Sequence, residues 1–497
     1  MADTHESRAE LKSRLKNSVI SKNDDIREGG DRPSLLVYIL IVVCFAALMY
    51  GAYYFMNFSV SNEYSIVWER KEEQTDGEID TFKGYMPFNG GLIKYTKDGA
   101  ELIDKNGNAV WDRSYQMNAP IIDVSKNYAV IADQGATDIY IFDGTTLTGA
   151  SETVLPISLV RVADNGVVYA VLNDSDAEYI TAFNPDGSPI DLSVKSILTG
   201  DGYPFDIDVS PDGTELITSY VGMESGQIVN NVVFRNFGSV GQNTDARRVV
   251  GGFKDEFAGH IAGKVYFSTN EYSQAFYDGG AVFFSTEVLN SPEVLAHVTF
   301  EEKMMAVGSA EAFSAVLLEN TGYDEHAELI DNAGAAAEDK TETEGKTSDD
   351  AESESAGAET TGSDGSESSD SNAEAADEAA VNDGGDTASD VTGTPDDGKN
   401  RYEVEASDGG GKYKLITFNN RGSKTGEADV DIEYKSMSVC GDVAVVYDSH
   451  EIRVYSGKGN LRGTFEFEEG SITSVSPSGK NGELYVVSGN TIYRIRY

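Results

Sequence analysis

The chain has 497 residues, with 84 acidic against 38 basic side chains, a formal net charge of −46 and a pI near 4.3. Such a chain repels phosphate backbones and no basic stripe offsets the repulsion, so no nucleic acid is expected as a partner. The two cysteines, Cys44 and Cys440, are too few and too far apart to staple a fold, so any folded domain must be held by its core.

Residues 1–34 read as a polar tail. Within it, HESRAELKSRLKNS places Leu11 and Leu15 one helical turn apart among charges, which suits a short helix on an anionic surface or a tail with no fixed structure. Residues 35–58, LLVYILIVVCFAALMYGAYYFMNF, carry no charge. At about 1.5 Å per residue they are long enough to cross about 30 Å of hydrocarbon, so a single transmembrane helix is expected. A cleaved signal peptide fits less well, because both the apolar run and the polar segment before it are too long.

Orientation follows from the basic flanks. Arg8, Lys12, Arg14, Lys16, Lys22, Arg27 and Arg32 precede the span, and the first basic residues after it are Arg70 and Lys71. The positive-inside rule then leaves the N-terminus in the cytoplasm and residues 59–497 outside. Tyr50, Tyr53 and Tyr54 gather toward the outer end, where phenol rings suit the interface. An exported domain without disulfides, with only two glycosylation sequons at Asn57 and Asn173, points to a bacterial cell with one membrane.

From Ser65 onward the apolar residues come in short runs rich in Val, Ile, Tyr and Phe, broken by Gly, Asn and Asp, which is strand patterning. Beneath it runs a repeat: IDKNG (103–107), IFDG (141–144), FNPDG (183–187), FRNFG (234–238), FNNRG (418–422) and YSGKG (455–459). One place in the series is blurred, where Asn290-Ser291-Pro292 makes the turn. Each unit suits a tight hairpin in which glycine takes positive φ and Asn or Asp bonds the turn. Outside one insert the turns recur roughly every 46 residues, near the ~40–45 of a four-stranded blade.

A second unit precedes each turn by one hairpin, in DVSKNYAVIA (123–132), RVADNGVVYAV (161–171), DVSPDGTELIT (208–218) and SVSPSGKNGELYVV (474–487). With their Ser-Pro-Asp-Gly and aromatic-Asn-x-x-Gly turns, these units resemble those of WD40-like and quinoprotein-like β-propellers. The whole plan of tail, span and acidic propeller resembles a family of bacterial membrane-anchored proteins of unassigned function. The resemblance implies an all-β fold, a propeller of eight blades or of seven if two units around residues 240–310 merge. The last unit, 472–497, has only three strands, and SIVWER (65–70) can supply the fourth, with Ile66 and Trp68 on one face and Val67 on the other.

Residues 331–399 hold 21 acidic and 3 basic side chains and no aromatic one. This acidic insert, which with its borders covers about 326–400, is expected to be disordered, as a loop between a blade's second and third strands. It suits a spacer or a weak cation brush as well as a tolerated expansion.

Chemistry-bearing patterns are sparse. Quinone-dependent catalysis would want repeated tryptophans, and only Trp68 and Trp111 occur. His260, His297 and His450 lack metal-ligand spacing, and His326 borders the insert. GMESGQ around Ser225 lacks the spacing of a nucleophile elbow, and Asp104-Lys105-Asn106-Gly107 lacks the further ligands of a calcium loop. No catalytic residue, metal site or cofactor is therefore assigned. The expected function is a non-catalytic binding or scaffold module tethered to the membrane. Its partner would be a cell-envelope polymer or another membrane protein. The alternative is a hydrolase or lyase whose carboxylates converge on the central channel from different blades.

Overall fold

The computed structural model describes residues 41–51, 60–72, 82–244, 247–321, 401–403, 410–479 and 482–497. They fall into two units, Met1–Val60 and Ser61–Tyr497. In the first, residues 41–51 are helical and exposed, and the rest of the expected span lies outside the described residues. Eleven helical residues rise only about 16 Å. Among the described residues no helix is long and apolar enough to cross a membrane.

The second unit is an all-β propeller of eight blades. Blades 1 to 7 occupy residues 83–114, 120–152, 157–197, 203–253, 262–299, 304–430 and 436–466, each a meander of four antiparallel strands in chain order. Blade 8 takes three strands from 472–496, and its outermost strand is Ser65–Lys71, antiparallel to Thr491–Arg496. Every repeated glycine turn read from the sequence connects a third to a fourth strand. At the first of them the Asp104 carboxylate accepts the N–H groups of Asn106 and Asn108 at 2.7 and 2.9 Å while Gly107 sits at φ +85°.

These turns also explain how blades stack. A Cβ on Gly187 would lie 2.3 Å from the Ala150 carbonyl oxygen of the preceding blade, and one on Gly422 would lie 2.7 Å from the Ala296 Cβ. Only glycine lets the turn seat on the neighbour's outer strand. At Gly107 of blade 1 the neighbour is Trp68, 3.1 Å from the same virtual atom. The N-terminal strand thus occupies the place that a fourth strand occupies in every other blade.

Eight apolar clusters fill the eight seams between blades. The closing seam is the thinnest, with five buried residues (Leu92, Ile103, Tyr485, Val487 and Ile492) against nine or more elsewhere. Polar contacts supplement it. Tyr485 donates to the Gly90 carbonyl at 2.7 Å, Trp68 Nε1 donates to the Lys105 carbonyl at 2.9 Å, and Arg70 pairs with Glu101 at 2.6 Å. Upstream, Ser61 bridges the outer strand of blade 7, and Tyr64 stacks on Phe467 at 5.6 Å.

Three details depart from the sequence pattern. A bulge between Ile66 and Trp68 inserts an extra residue, so the simple alternation fails: Ile66 and Val67 are both exposed, and Trp68 and Arg70 turn inward. Seven blades do not occur; the blurred stretch holds two short 3-10 turns, Gly241–Asn243 between the third and fourth strands of blade 4 and Asp255–Phe257 between blades 4 and 5. Arg401–Glu403 adds a fifth, parallel strand to blade 5. As expected, Phe313–Glu319 pairs with Tyr413–Asn419 as second and third strands of blade 6, with Glu319 opposite Tyr413. Residues 331–399 lie outside the described residues.

Candidate functional site

The innermost strand of each blade lines a central channel of about 2250 Å³. One position before the end of each inner-strand ladder, blades 2 to 5 carry Asp123, Arg161, Asp208 and Tyr266. At the same position blades 6, 7, 8 and 1 carry Gly308, Val439, Ser476 and Pro87. The channel wall is therefore charged along one arc and uncharged along the other. Two positions earlier, Asp206 and Lys264 add to the charged arc.

These groups bond across blade boundaries. The Asp123 carboxylate accepts the Val162 N–H of blade 3 at 2.8 Å. Arg161 donates to Asp206 of blade 4 at 2.7 Å and lies 3.9 Å from Asp208. Asp206 and Asp208 in turn accept the Val265 and Phe267 N–H groups of blade 5 at 3.1 and 2.7 Å. Lys264 approaches Asp206 at 3.8 Å. The arrangement clamps four blades at the channel wall.

Its electrostatics are uneven. Burial pushes the Asp208 carboxyl up to about 7, with Arg161 opposing and Asp123 reinforcing the shift. Burial raises Asp123 too, against the pull of Arg161 and the Val162 N–H. Burial also works against the Arg161 charge, but Asp123, Asp206 and Asp208 keep its guanidinium firmly protonated. Tyr266 is driven upward by burial first and by Asp206 next, so it stays neutral. Asp123 and Asp208 are thus the two carboxyls of the arc whose protonated form burial favours.

Proton transfer is within the chemical reach of Asp123 and Asp208. A nucleophile is not beside them: the Ser125 hydroxyl faces the Ala163 carbonyl at 3.0 Å, and burial pushes the Cys440 thiol up, away from thiolate. Among the described residues no group of three His, Cys, Asp or Glu side chains could hold a metal ion.

The residues singled out in the sequence are dispersed. His297 and His260 meet around Tyr277: the His297 Nε2 is 2.6 Å from the Tyr277 hydroxyl, its Nδ1 is 3.4 Å from Glu256, and the His260 ring lies 4.7 Å from the tyrosine ring. This carboxylate–imidazole–hydroxyl chain is enclosed in blade 5, with Tyr277 only 3% exposed, so no substrate reaches the hydroxyl. His450 sits in an exposed turn with its backbone N–H donating to the Asp448 carboxylate at 2.6 Å, and His326 lies outside the described residues. Ser225 forms a hairpin tip at φ +51°, Asp104 is a turn residue, and Trp111 stacks on Phe142 at 4.4 Å in the seam between blades 1 and 2. Cys44 and Cys440 are free thiols. The charged arc was missed because its members stand one to a blade; aligning DVSKN, RVADN and DVSPD as repeats puts Asp123, Arg161 and Asp208 in a single column.

The ring of eight blades around a half-charged channel defines a closed eight-bladed β-propeller. The chain belongs to a family of unknown function, DUF5711, whose sequence model matches residues 57–349 and 399–497. No functionally curated protein matches it. Similar solved structures include BamB from Moraxella catarrhalis, at 9% identity and a TM-score of 0.43, covering 88% of this chain and 100% of that one. The Neurospora crassa Pan2 WD40 domain is 9% identical with a TM-score of 0.37, covering 76% of this chain and 88% of its own. The Cps50 (Swd1) β-propeller domain of Myceliophteria thermophila is likewise 9% identical at 0.37, covering 84% and 98%. Likeness at this identity says nothing of activity.

Proposed function

We propose that this protein is a membrane-tethered, extracellular binding or scaffold module that engages its partner at the channel mouth formed by the turns between first and second strands. The partner is an envelope polymer or another membrane protein. The observation that carries this reading is that the channel-wall charges are consumed by one another and by backbone N–H groups, whereas Lys126 and Glu311 at the mouth are exposed. The mouth is also laced: Lys126 N–H donates to Asp164 at 2.8 Å, Asn165 donates to the Asp212 carbonyl at 2.7 Å, and Asp212 N–H donates to Asn270 at 3.0 Å. A rigid rim loses little entropy on binding. The uncharged run 35–58 and its basic N-terminal flank support the tether, which would join the propeller at the outermost strand of blade 8.

A second reading, a hydrolase or lyase using Asp123 and Asp208, is favoured by the elevated Asp208 carboxyl. Photo-crosslinking residues placed at Lys126 and Glu311 separate the two in cells. The binding reading expects one discrete adduct from these sites and none from Val154, which is 94% exposed in the connection between blades 2 and 3. Equal labelling at all three sites would overturn it. Protease added to wall-stripped cells should degrade everything beyond about Ser59 and spare an N-terminal tag; a tag cut from outside would overturn the topology.

A further inference from the structure

The second and third strands of blade 4, Glu215–Glu224 and Gln227–Asn236, run ten residues each, where their counterparts run five to seven. Residues 222–229 of this hairpin pair only with each other. Between its inner face, the turn at 198–202 leaving blade 3 and the strand Val249–Phe253 lies a cavity of about 230 Å³.

Arg235 reaches into it. The residue is 4% exposed, and its guanidinium carbon stands 5.1 Å from the centre of the Tyr220 ring. Among the described residues, neither its Nε nor its Nη1 finds an acceptor. The carboxylates nearby are committed. Asp201 accepts the Ile197 N–H at 3.0 Å on one oxygen and Arg247 on the other, and Glu224 pairs with Lys254 at 2.5 Å. The described lining therefore holds three cations and two acids, leaving one positive charge over. A buried guanidinium that must share the Asp201 carboxylate with Arg247 and leaves its own Nε and Nη1 without an acceptor among the described residues is unfavourable, which calls for an anion.

We propose that this cavity binds a small organic monocarboxylate. Charge balance favours a monoanion, since a phosphate dianion would leave one negative charge over in the same enclosure. Beside the arginine, the half-buried Asn231 Oδ1 also has no partner among the described residues, so the ligand carries a hydrogen-bond donor next to its carboxylate. Gly252 keeps that space open: a Cβ there would stand 3.7 Å from the same oxygen. At ~30 Å³ per water, 230 Å³ accommodates a hydroxy acid of roughly six to eight non-hydrogen atoms.

The full-length chain, purified in detergent, is titrated calorimetrically at neutral pH and low salt with glycolate, L-lactate, D-glycerate, 3-hydroxybutyrate and inorganic phosphate. At least one organic acid should bind saturably at one site, with phosphate weaker by about tenfold or more. Arg235→Met should weaken that acid by about tenfold or more. Should this variant fail to fold, phenylglyoxal labelling of the unaltered chain reads the same contact: the acid should protect Arg235 and leave Arg421, with its side chain 67% exposed, unprotected. A flat titration with all four acids, phosphate binding as tightly, or no protection of Arg235 by a binding acid would overturn the proposal.

Discussion

Replacing Trp68 with alanine probes the place where the ring closes. The indole lies 6.1 Å from the Tyr485 ring, fills the space above Gly107 and donates to the Lys105 carbonyl, so it touches both ends of the chain's circuit. It is half-buried, and losing about 100 Å² of apolar contact at about 25 cal/mol/Å² removes about 2.5 kcal/mol. The exposed Nε1 bond adds about 0.5 kcal/mol. The total, about 3 kcal/mol, sits at the low end of what a fully enclosed aromatic loses. In a domain of this size each kcal/mol moves the melting midpoint by about 1–2 °C, so circular-dichroism melts should show a fall of roughly 3–5 °C. Val67→Ala is the control, because the bulge turns Val67 outward, 41% exposed, and its loss should stay within about 0.5 kcal/mol. Equal effects from the two variants, or none from Trp68→Ala, would refute the closure.

The elevated Asp208 carboxyl has a pH signature. Its folded value of about 7 lies above the ordinary 3.8, so the native state holds the extra proton and stability falls as pH rises from about 4 to 7. Asp208→Asn keeps an acceptor for the Phe267 N–H and should stabilise the protein by about 1–3 kcal/mol at pH 8 while changing little at pH 4; the reverse order in urea melts would contradict the assignment. Arg161→Met strips the counter-ion from Asp206, whose side chain is 3% exposed, and should destabilise by about 3–5 kcal/mol; a loss under 1 kcal/mol would mean that the arc clamps nothing. Exchanging residues 331–399 for a short Gly/Ser linker should leave the melting midpoint nearly unchanged, since Glu319 and Tyr413 already face each other, and a drop of several degrees would show that the segment contributes to the fold.

Much of this architecture was legible because turn chemistry is local. Four of the six repeated glycines, Gly107, Gly187, Gly422 and Gly459, take the expected positive φ, whereas Gly144 and Gly238 do not, although their turns still join a third to a fourth strand. The lone strand SIVWER had no hairpin partner, and an unpaired edge is costly, so ring closure followed. What escaped was non-local or irregular. The bulge at Val67 has no sequence mark, because nothing in SIVWER distinguishes a slipped register from a regular one. The charged arc joins residues about 40 positions apart, within a composition so acidic that another Asp carries no signal. Arg235 reads as an ordinary strand residue in VVFRNF; that it is buried with Nε and Nη1 lacking an acceptor among the described residues shows only in the folded blade 4. Parallel pairing of Arg401–Glu403 involves three residues, too few to show any period.

Native-state hydrogen exchange on the full-length chain tests the closed ring most directly. If Ser65–Lys71 is the fourth strand of blade 8, its paired amides should exchange as slowly as those of Thr491–Arg496 and open together with them. Exchange of Ser65–Lys71 at the rate of a free peptide, with Thr491–Arg496 still protected, would contradict the closed ring and leave blade 8 with three strands.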